Sequence, residues 1–318
     1  MAGPAEDTGL LALYTTQFST NLDLLLQQPG TRLRSRVREG FHVGKQASPV
    51  NYMNAVTMRP PAGRFAPLNR VDADYRRYWV FPKDGELPQL VDSFDELRTA
   101  VDVKSQFVTN AYNAAGRYMD DELIVAATRN ATVGQDASAL TTETFNTAAT
   151  TAGGFQVPVN FGASVNTGLT IVKLIETRRV LEHYHNFDNG PMEATLIIGS
   201  QQRADLLSQV EYVSTEFRVA PTYDSMGNLD SFMGFSIVMS ERLTQTTVNA
   251  VRGALAVIRD GLYLGIWRDM ANDISQRKDL SSLPWQIYTN MTFGATRLQP
   301  GKVIQVLCAD TSGADITP

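Results

Sequence analysis

The chain has one cysteine and three histidines, and these scarcities exclude whole classes of architecture. Cys308 alone cannot form an internal disulfide. With only His42, His183 and His185 beside it, a four-ligand Cys/His zinc site cannot be assembled from local spacing. Charge is also sparse: 19% of residues are charged, below the roughly 25% of ordinary soluble chains. Uncharged groups must therefore cover much of the surface, which means a large buried core or extensive contact with other chains. No window approaches the roughly 20 apolar residues that span a bilayer, and Glu6 and Asp7 stand where a signal peptide carries positive charge. The expectation is an unexported, soluble, thiol-reduced protein with no membrane partner. Hydrophobic residues at 43% disfavour disorder throughout. The 318 residues suffice for one large domain, or for two that share a sheet or a long element.

The net charge of −5 is too mild to dictate a partner, but it hides a segregation. From Thr31 to Lys83 eleven basic residues stand against Glu39, Asp72 and Asp74, a local +8, while the remaining 265 residues sum to −13. Asp84 to Glu122 follows at −6. Arg32, Arg34, Arg36 and Arg38 alternate with Leu33, Ser35 and Val37, a period of two that predicts an extended strand with four guanidinium groups on one face. Val71, Ala73 and Tyr75 repeat the pattern, and Pro49, Pro60, Pro61 and Pro67 lie between. The segment reads as a hairpin-like arm that buries little by itself and needs a partner surface. A protein surface of opposite charge is the first candidate; nucleic acid, given the interleaved aromatics Tyr52, Tyr75, Tyr78 and Trp79 near Arg76 and Arg77, is the second.

Ser93 and Glu96 form a capping box. Apolar residues then recur in steps of three, four or seven from Phe94 to Ala126 without a proline. This predicts a helix from Ser93 to Thr128, a rod of roughly 50 Å. Its acidic positions Asp95, Glu96, Asp102, Asp120, Asp121 and Glu122 offer a surface matching the basic arm of another copy. Residues 130–160, rich in Thr, Ala, Ser and Gly, predict short strands, loops or a linker. An amphipathic helix with Ile171, Leu174, Ile175, Arg178 and Leu181 follows, then a buried strand from Ala194 to Ile198 and a helix capped by Ser200. Further strands fall at Ser236–Met239, Ala254–Ile258, Tyr263–Trp267, Trp285–Phe293 and Lys302–Leu307, with turns at Gly234, Asp260-Gly261 and Pro300-Gly301. The fold class is α+β, a helix-flanked sheet with one protruding arm.

Catalytic patterns are absent. Gly40 to Gln46 has three residues between its glycines where a phosphate loop needs four, and Gln46 where Ser or Thr would hold magnesium. His183, His185 and Asp188 suggest a metal, but histidines at a helix C-terminus suit the dipole and are the preferred reading. Asp120, Asp121 and Glu122 diverge by about 100° each on a helix, so they do not converge on one ion, and a solvated acidic turn is expected. No nucleophile elbow exists, and Cys308 has no His near it in sequence. Neither catalysis, cofactor nor metal is expected.

The order of parts resembles the major capsid proteins of tailed double-stranded DNA bacteriophages with the Hong Kong 97-type fold. The sequence is similar as well, in Arg36 to Val50 (RVREGFHVGKQASPV), Arg64 to Phe94 (RFAPLNRVDADYRRYWVFPKDGELPQLVDSF), Asn160 to Leu174 (NFGASVNTGLTIVKL) and Leu264 to Arg297 (LGIWRDMANDISQRKDLSSLPWQIYTNMTFGATR). The resemblance implies an N-terminal arm (1–31), an extended β-hairpin loop (32–90) lying over a neighbouring subunit and a peripheral domain with a long spine helix (91–159). An axial domain (160–271) and a return to the peripheral domain with a C-terminal tail (272–318) would complete it. It further implies hexamers and pentamers of an icosahedral shell around double-stranded DNA, in a virion assembled in the host cytoplasm. About 30 residues ahead of the loop leave no room for a cleaved scaffolding segment, so scaffolding, if needed, would be a separate protein; decoration and portal proteins would be further partners. Lys45 and Lys83 are the only loop lysines, no motif matches an Asn or Glu partner, and no covalent cross-link is expected. The alternatives are a nucleic-acid-binding protein using the basic 31–83 arm, a nanocompartment shell of the same fold, or, further off, a carboxylate enzyme at Asp120 to Glu122.

Overall fold

The computed structural model describes residues 28–310 apart from 46, 54–55, 61–62, 65–66, 68–69, 74, 92–102, 136–138, 186–191, 210–230, 247–250 and 282. In chain order the elements are β1 (Arg38–Phe41), β2 (Ala47–Met53), β3 (Tyr75–Val80), β4 (Lys83–Val91), α1 (Val103–Thr128), β5 (Ala131–Val133), β6 (Thr141–Glu143) and β7 (Gln156–Val157). There follow α2 (Ile171–His185), β8 (Ala194–Ile198), α3 (Ser200–Ser208), β9 (Ser231–Phe232), β10 (Phe235–Met239), β11 (Gln245–Thr246), β12 (Val251–Ile258), β13 (Leu262–Gln276), β14 (Trp285–Arg297) and β15 (Val303–Ala309). The strands and turns expected after residue 230 are all present, with Gly234 in the left-handed region at φ 77° and short 3-10 turns at Arg259–Gly261 and Pro300–Lys302.

A seven-stranded sheet in the order β7-β15-β12-β8-β10-β9, with β11 on β12, carries helices on one face. Leu174, Val180 and Leu181 of α2 and Leu206 of α3 pack there against Leu196, Ile198, Ala254, Ala256, Ile304 and Val306. The alternate residues of the same strands, Ile197, Leu255, Val257 and Val303, face a second core. That core also holds Met119, Leu123, Ile124 and Ala127 of α1 and Leu262, Leu264, Ile266, Met291 and Phe293 of β13 and β14. Strand β8 is parallel to β10 and covered on both faces, which is why Ala194 to Ile198 is buried throughout and reads as one apolar run. A four-stranded sheet, β1-β13-β14-β4, is built on the long β13–β14 hairpin. A third, β2-β3-β5-β6, joins the base of the arm to the segment after α1.

Several expectations need correction. Residues 32–38 are not a strand: Arg34–Arg36 is a 3-10 turn and β1 begins only at Arg38. Leu33 and Val37, four residues apart, are both buried; burial of that pair overrides the period-two signal of the arginines. The four guanidinium groups therefore do not share a face. On α2 the buried row includes Lys173 and Thr177, while Ile175 is half exposed. The Nζ of Lys173 donates to the carbonyls of Thr167, Gly168 and Leu307, which is how a lysine comes to lie inside. Helix α3 is capped at Gly199, whose N–H donates to Gln202 Oε1, and not at Ser200. The capping box at Ser93 and the rest of the expected helix up to residue 102 lie outside the described residues; the 26 residues of α1 span about 39 Å. The expected boundary at residue 271 does not separate sheets, and the last strands do not stay in one sheet. Residue 271 lies inside β13, and β15 bonds to β12 and β7 in the seven-stranded sheet while β14 packs on α1.

Candidate assembly surfaces

The segment from Gln28 to Val37 is strapped onto α1. Gly30 adopts φ 58°, a left-handed conformation that favours glycine. Its N–H donates to Asn113 Oδ1 at 3.1 Å. Gly116 faces it so closely that a Cβ there would stand 2.2 Å from the Gly30 carbonyl carbon. Asp120, 0% exposed, accepts from Gln28 Nε2 (2.6 Å), Thr31 Oγ1 (2.5 Å) and the backbone N–H groups of Arg32 (3.0 Å) and Leu33 (3.3 Å). Each of those donors, if buried without its acceptor, would cost about 1 to 3 kcal/mol. Leu33 and Val37 complete the strap by entering the core shared by α1 and both sheets.

The next two acids point elsewhere. Asp121 makes a two-pronged ion pair with the guanidinium of Arg242, tying α1 to the turn after β10. Glu122, buried, accepts from Lys83 Nζ and Arg129 Nη1, each at 2.7 Å. Burial raises the pKa of Glu122, but the hydrogen bonds and charges of Lys83 and Arg129 outweigh it and hold the carboxyl below its ordinary value. The three carboxylates diverge as helical geometry requires, yet they are not a solvated turn. All three are committed within the chain, so they are not an open acidic face for a neighbour's arm. Asp95, Glu96 and Asp102 lie outside the described residues.

The expected basic residues divide in the same way. Arg32 donates to the Met239 carbonyl at 2.7 Å, and Arg34 pairs with Glu39 and Asp269, both at 3.0 Å. Arg76 reaches Glu143 at 3.4 Å, while Arg77 bonds Asn51 and the Gln135 carbonyl and lies over Trp79. Arg36 and Arg38 are exposed. Beyond them the arm is open: Met53, Val56, Val71 and Tyr75 are largely exposed and Met58 wholly so. Apolar groups concentrated on a protrusion mark an interaction surface.

Sequence reasoning missed Arg297. Its side chain is buried over the Phe145 ring and donates to the carbonyls of Ala127 (3.1 Å) and Arg129 (3.0 Å), closing the C-terminal end of α1. Burial lowers its pKa. No local signal could have found it, because its partners lie about 170 residues away. His183 and His185 fall in the last turn of α2, and Asp188 lies outside the described residues. Among the described residues no three His, Cys, Asp or Glu side chains are grouped to hold a metal, and no helix is long and apolar enough to cross a membrane.

Comparison with known proteins accords with this architecture. A chain of the cyanophage Pam1 capsid is similar with a TM-score of 0.70 and 14% identity, covering 98% of this chain and 100% of that one. The capsid of cyanophage P-SCSP1u gives 0.69 and 13%, with 94% of each chain covered. The capsid of the native GTA particle gives 0.67 and 10%, covering 94% of this chain and 96% of that one. No curated protein sequence matches. Residues 11–310 match the family described as phage capsid protein. With that match spanning nearly the whole chain, the protein belongs to the phage capsid protein family, has the α+β Hong Kong 97-type fold, and is a structural subunit of an icosahedral virion shell.

Proposed function

We propose that the subunit assembles into hexamers and pentamers whose shell encloses double-stranded DNA, and that its arm, the open part of residues 32–90 beyond the strap, lies over a neighbouring copy. The observation that carries this is the arm itself: between residues 56 and 73 nearly every described side chain is exposed, Met58 fully, so the isolated chain leaves the segment without cover. Residues up to about 31 form an N-terminal arm and 91–159 a peripheral unit around α1, completed by β13 and β14; the part of 160–271 ahead of β13 supplies an axial unit, which β15 joins. Decoration and portal proteins are its further partners, assembly takes place in the host cytoplasm, and the role is non-enzymatic. Use of the 31–83 segment chiefly for nucleic acid fits less well, since Arg34 and Arg76 are already paired with carboxylates. Electron microscopy of the purified protein across a salt series tests the reading. Closed shells or capsomer rings are expected, and monodisperse monomers at every salt concentration would overturn it.

A further inference from the structure

On the face of the seven-stranded sheet that meets the strap, three hydroxyl residues stand in one row. Thr195 of β8, Ser236 of β10 and Ser231 of β9 are direct register partners, so their side chains share a face. It is the face that carries Ile197 and Val238 toward the second core. The three line a cavity of about 460 Å³ whose charged lining is Arg36, Arg259 and Glu193. Arg36 comes from the 3-10 turn of the strap, whose backbone is fixed on both sides by buried Leu33 and Val37. Its side chain is exposed and makes no hydrogen bond or ion pair among the described residues. Arg259 opens the turn after β12 and meets Glu193 at 3.5 Å, but both side chains are more than half exposed, so the pair is weak. Thr195 is only 6% exposed, yet its hydroxyl too has no partner among the described residues. Buried hydroxyls are normally hydrogen-bonded, so this one calls for a partner from the cavity.

We propose that this cavity binds a phosphate group, with the backbone of the enclosed DNA as its source. The source rests on the reading of the shell as a DNA container; the phosphate chemistry does not. The charged lining sums to +1, against the single negative charge of a phosphodiester. The Arg36 guanidinium can present two parallel N–H groups to two phosphate oxygens, and the hydroxyl row can donate to oxygens on the other side. Donors on opposite walls suit a tetrahedral group with oxygens in several directions better than a planar carboxylate, whose two oxygens one guanidinium already satisfies. The strap, the β8–β10–β9 row and the turn at Arg259 are far apart in sequence, so the site exists only in the folded chain. It lies at the seam under the strap, apart from the exposed arm of residues 56–73.

The test uses the purified subunit and two probes, inorganic phosphate followed by calorimetry and a short labelled DNA duplex followed by fluorescence anisotropy across a salt series. Arg36→Gln is expected to weaken binding of both about tenfold and to lower the salt slope for the duplex by about one. Arg38→Gln removes the same charge from an exposed position outside the cavity and should change either by less than about twofold. Thr195→Val keeps the side chain's shape and is expected to weaken both probes about threefold at an unchanged melting temperature. Losses no greater in R36Q than in R38Q, or T195V binding both probes like the parent, would mean diffuse surface charge and overturn the proposal. A parent that binds neither probe would overturn it too. Phosphate binding that depends on Arg36 and Thr195, beside duplex binding that does not, would keep the site and make free phosphate its source. Binding by the free subunit that vanishes in DNA-free shells would give the cavity to a neighbouring copy and overturn the proposal. These are subunit measurements, so a failure to form shells would overturn the assembly reading without deciding this one.

Discussion

Glu122 shows what a single residue contributes beyond its place in a row of acids. Its carboxylate joins α1 to β4 through Lys83 and to the end of its own helix through Arg129. A carboxyl held below its unfolded value of 4.5 stabilises the fold above that pH, and the contribution disappears as pH falls through the lower folded value. Between about pH 5 and pH 3 the melting temperature of the parent should therefore fall more steeply than that of Glu122→Gln, followed by circular dichroism. Parallel curves would show that the ion pair is not coupled to folding. At this scale the sequence was partly legible. Helical spacing correctly makes Asp120, Asp121 and Glu122 diverge, but it carries no information on their partners, which come from residues 28–33, 83, 129 and 242.

Elements are where local pattern and tertiary contact compete. At Gly116 alanine would gain about 1 kcal/mol of helix propensity. Its Cβ, however, would press on backbone atoms of Gly30 and Thr31 at 2.2 to 2.6 Å, and backbone cannot rotate away as a flexible side chain does. Overpacking at about 1 to 3 kcal/mol outweighs the gain, so Gly116→Ala should lower the denaturation midpoint by a net of about 1 to 2 kcal/mol. A raised midpoint would mean that the strap shifts freely along α1. The same competition explains the misreading of residues 32–38. The arginines are exposed or half-buried and follow no burial rule, whereas Leu33 and Val37 fill the core and set the backbone. Strands β8, β10, β12 and β15 were legible because both core faces demand apolar side chains along them, and β13 and β14 because one face of each fills the second core.

In the whole molecule, α1 and the strap form the seam between the seven-stranded and four-stranded sheets. The arm stands outside that seam. Replacing residues 56–73 with a short Gly/Ser linker should leave the subunit's melting temperature within a few degrees of the parent, because the described residues there bury almost nothing. Shell formation, scored by electron microscopy, should be lost; shells of normal appearance would show that the arm is dispensable for assembly.

The sequence by itself determined the α+β class, the long helix, the strands after residue 230 and an arm without a core of its own. Those follow from hydrophobic period and turn chemistry, which act over a few residues. Only the tertiary structure decided which charges are spent within the chain and which face outward. It paired Asp120 with the strap, Asp121 with Arg242 and Arg34 with Asp269, and it left Arg38 and Lys45 exposed at one sheet edge with Asp84 and Glu86 at the other. An ion pair forms between groups about 4 Å apart in space, whatever their separation along the chain.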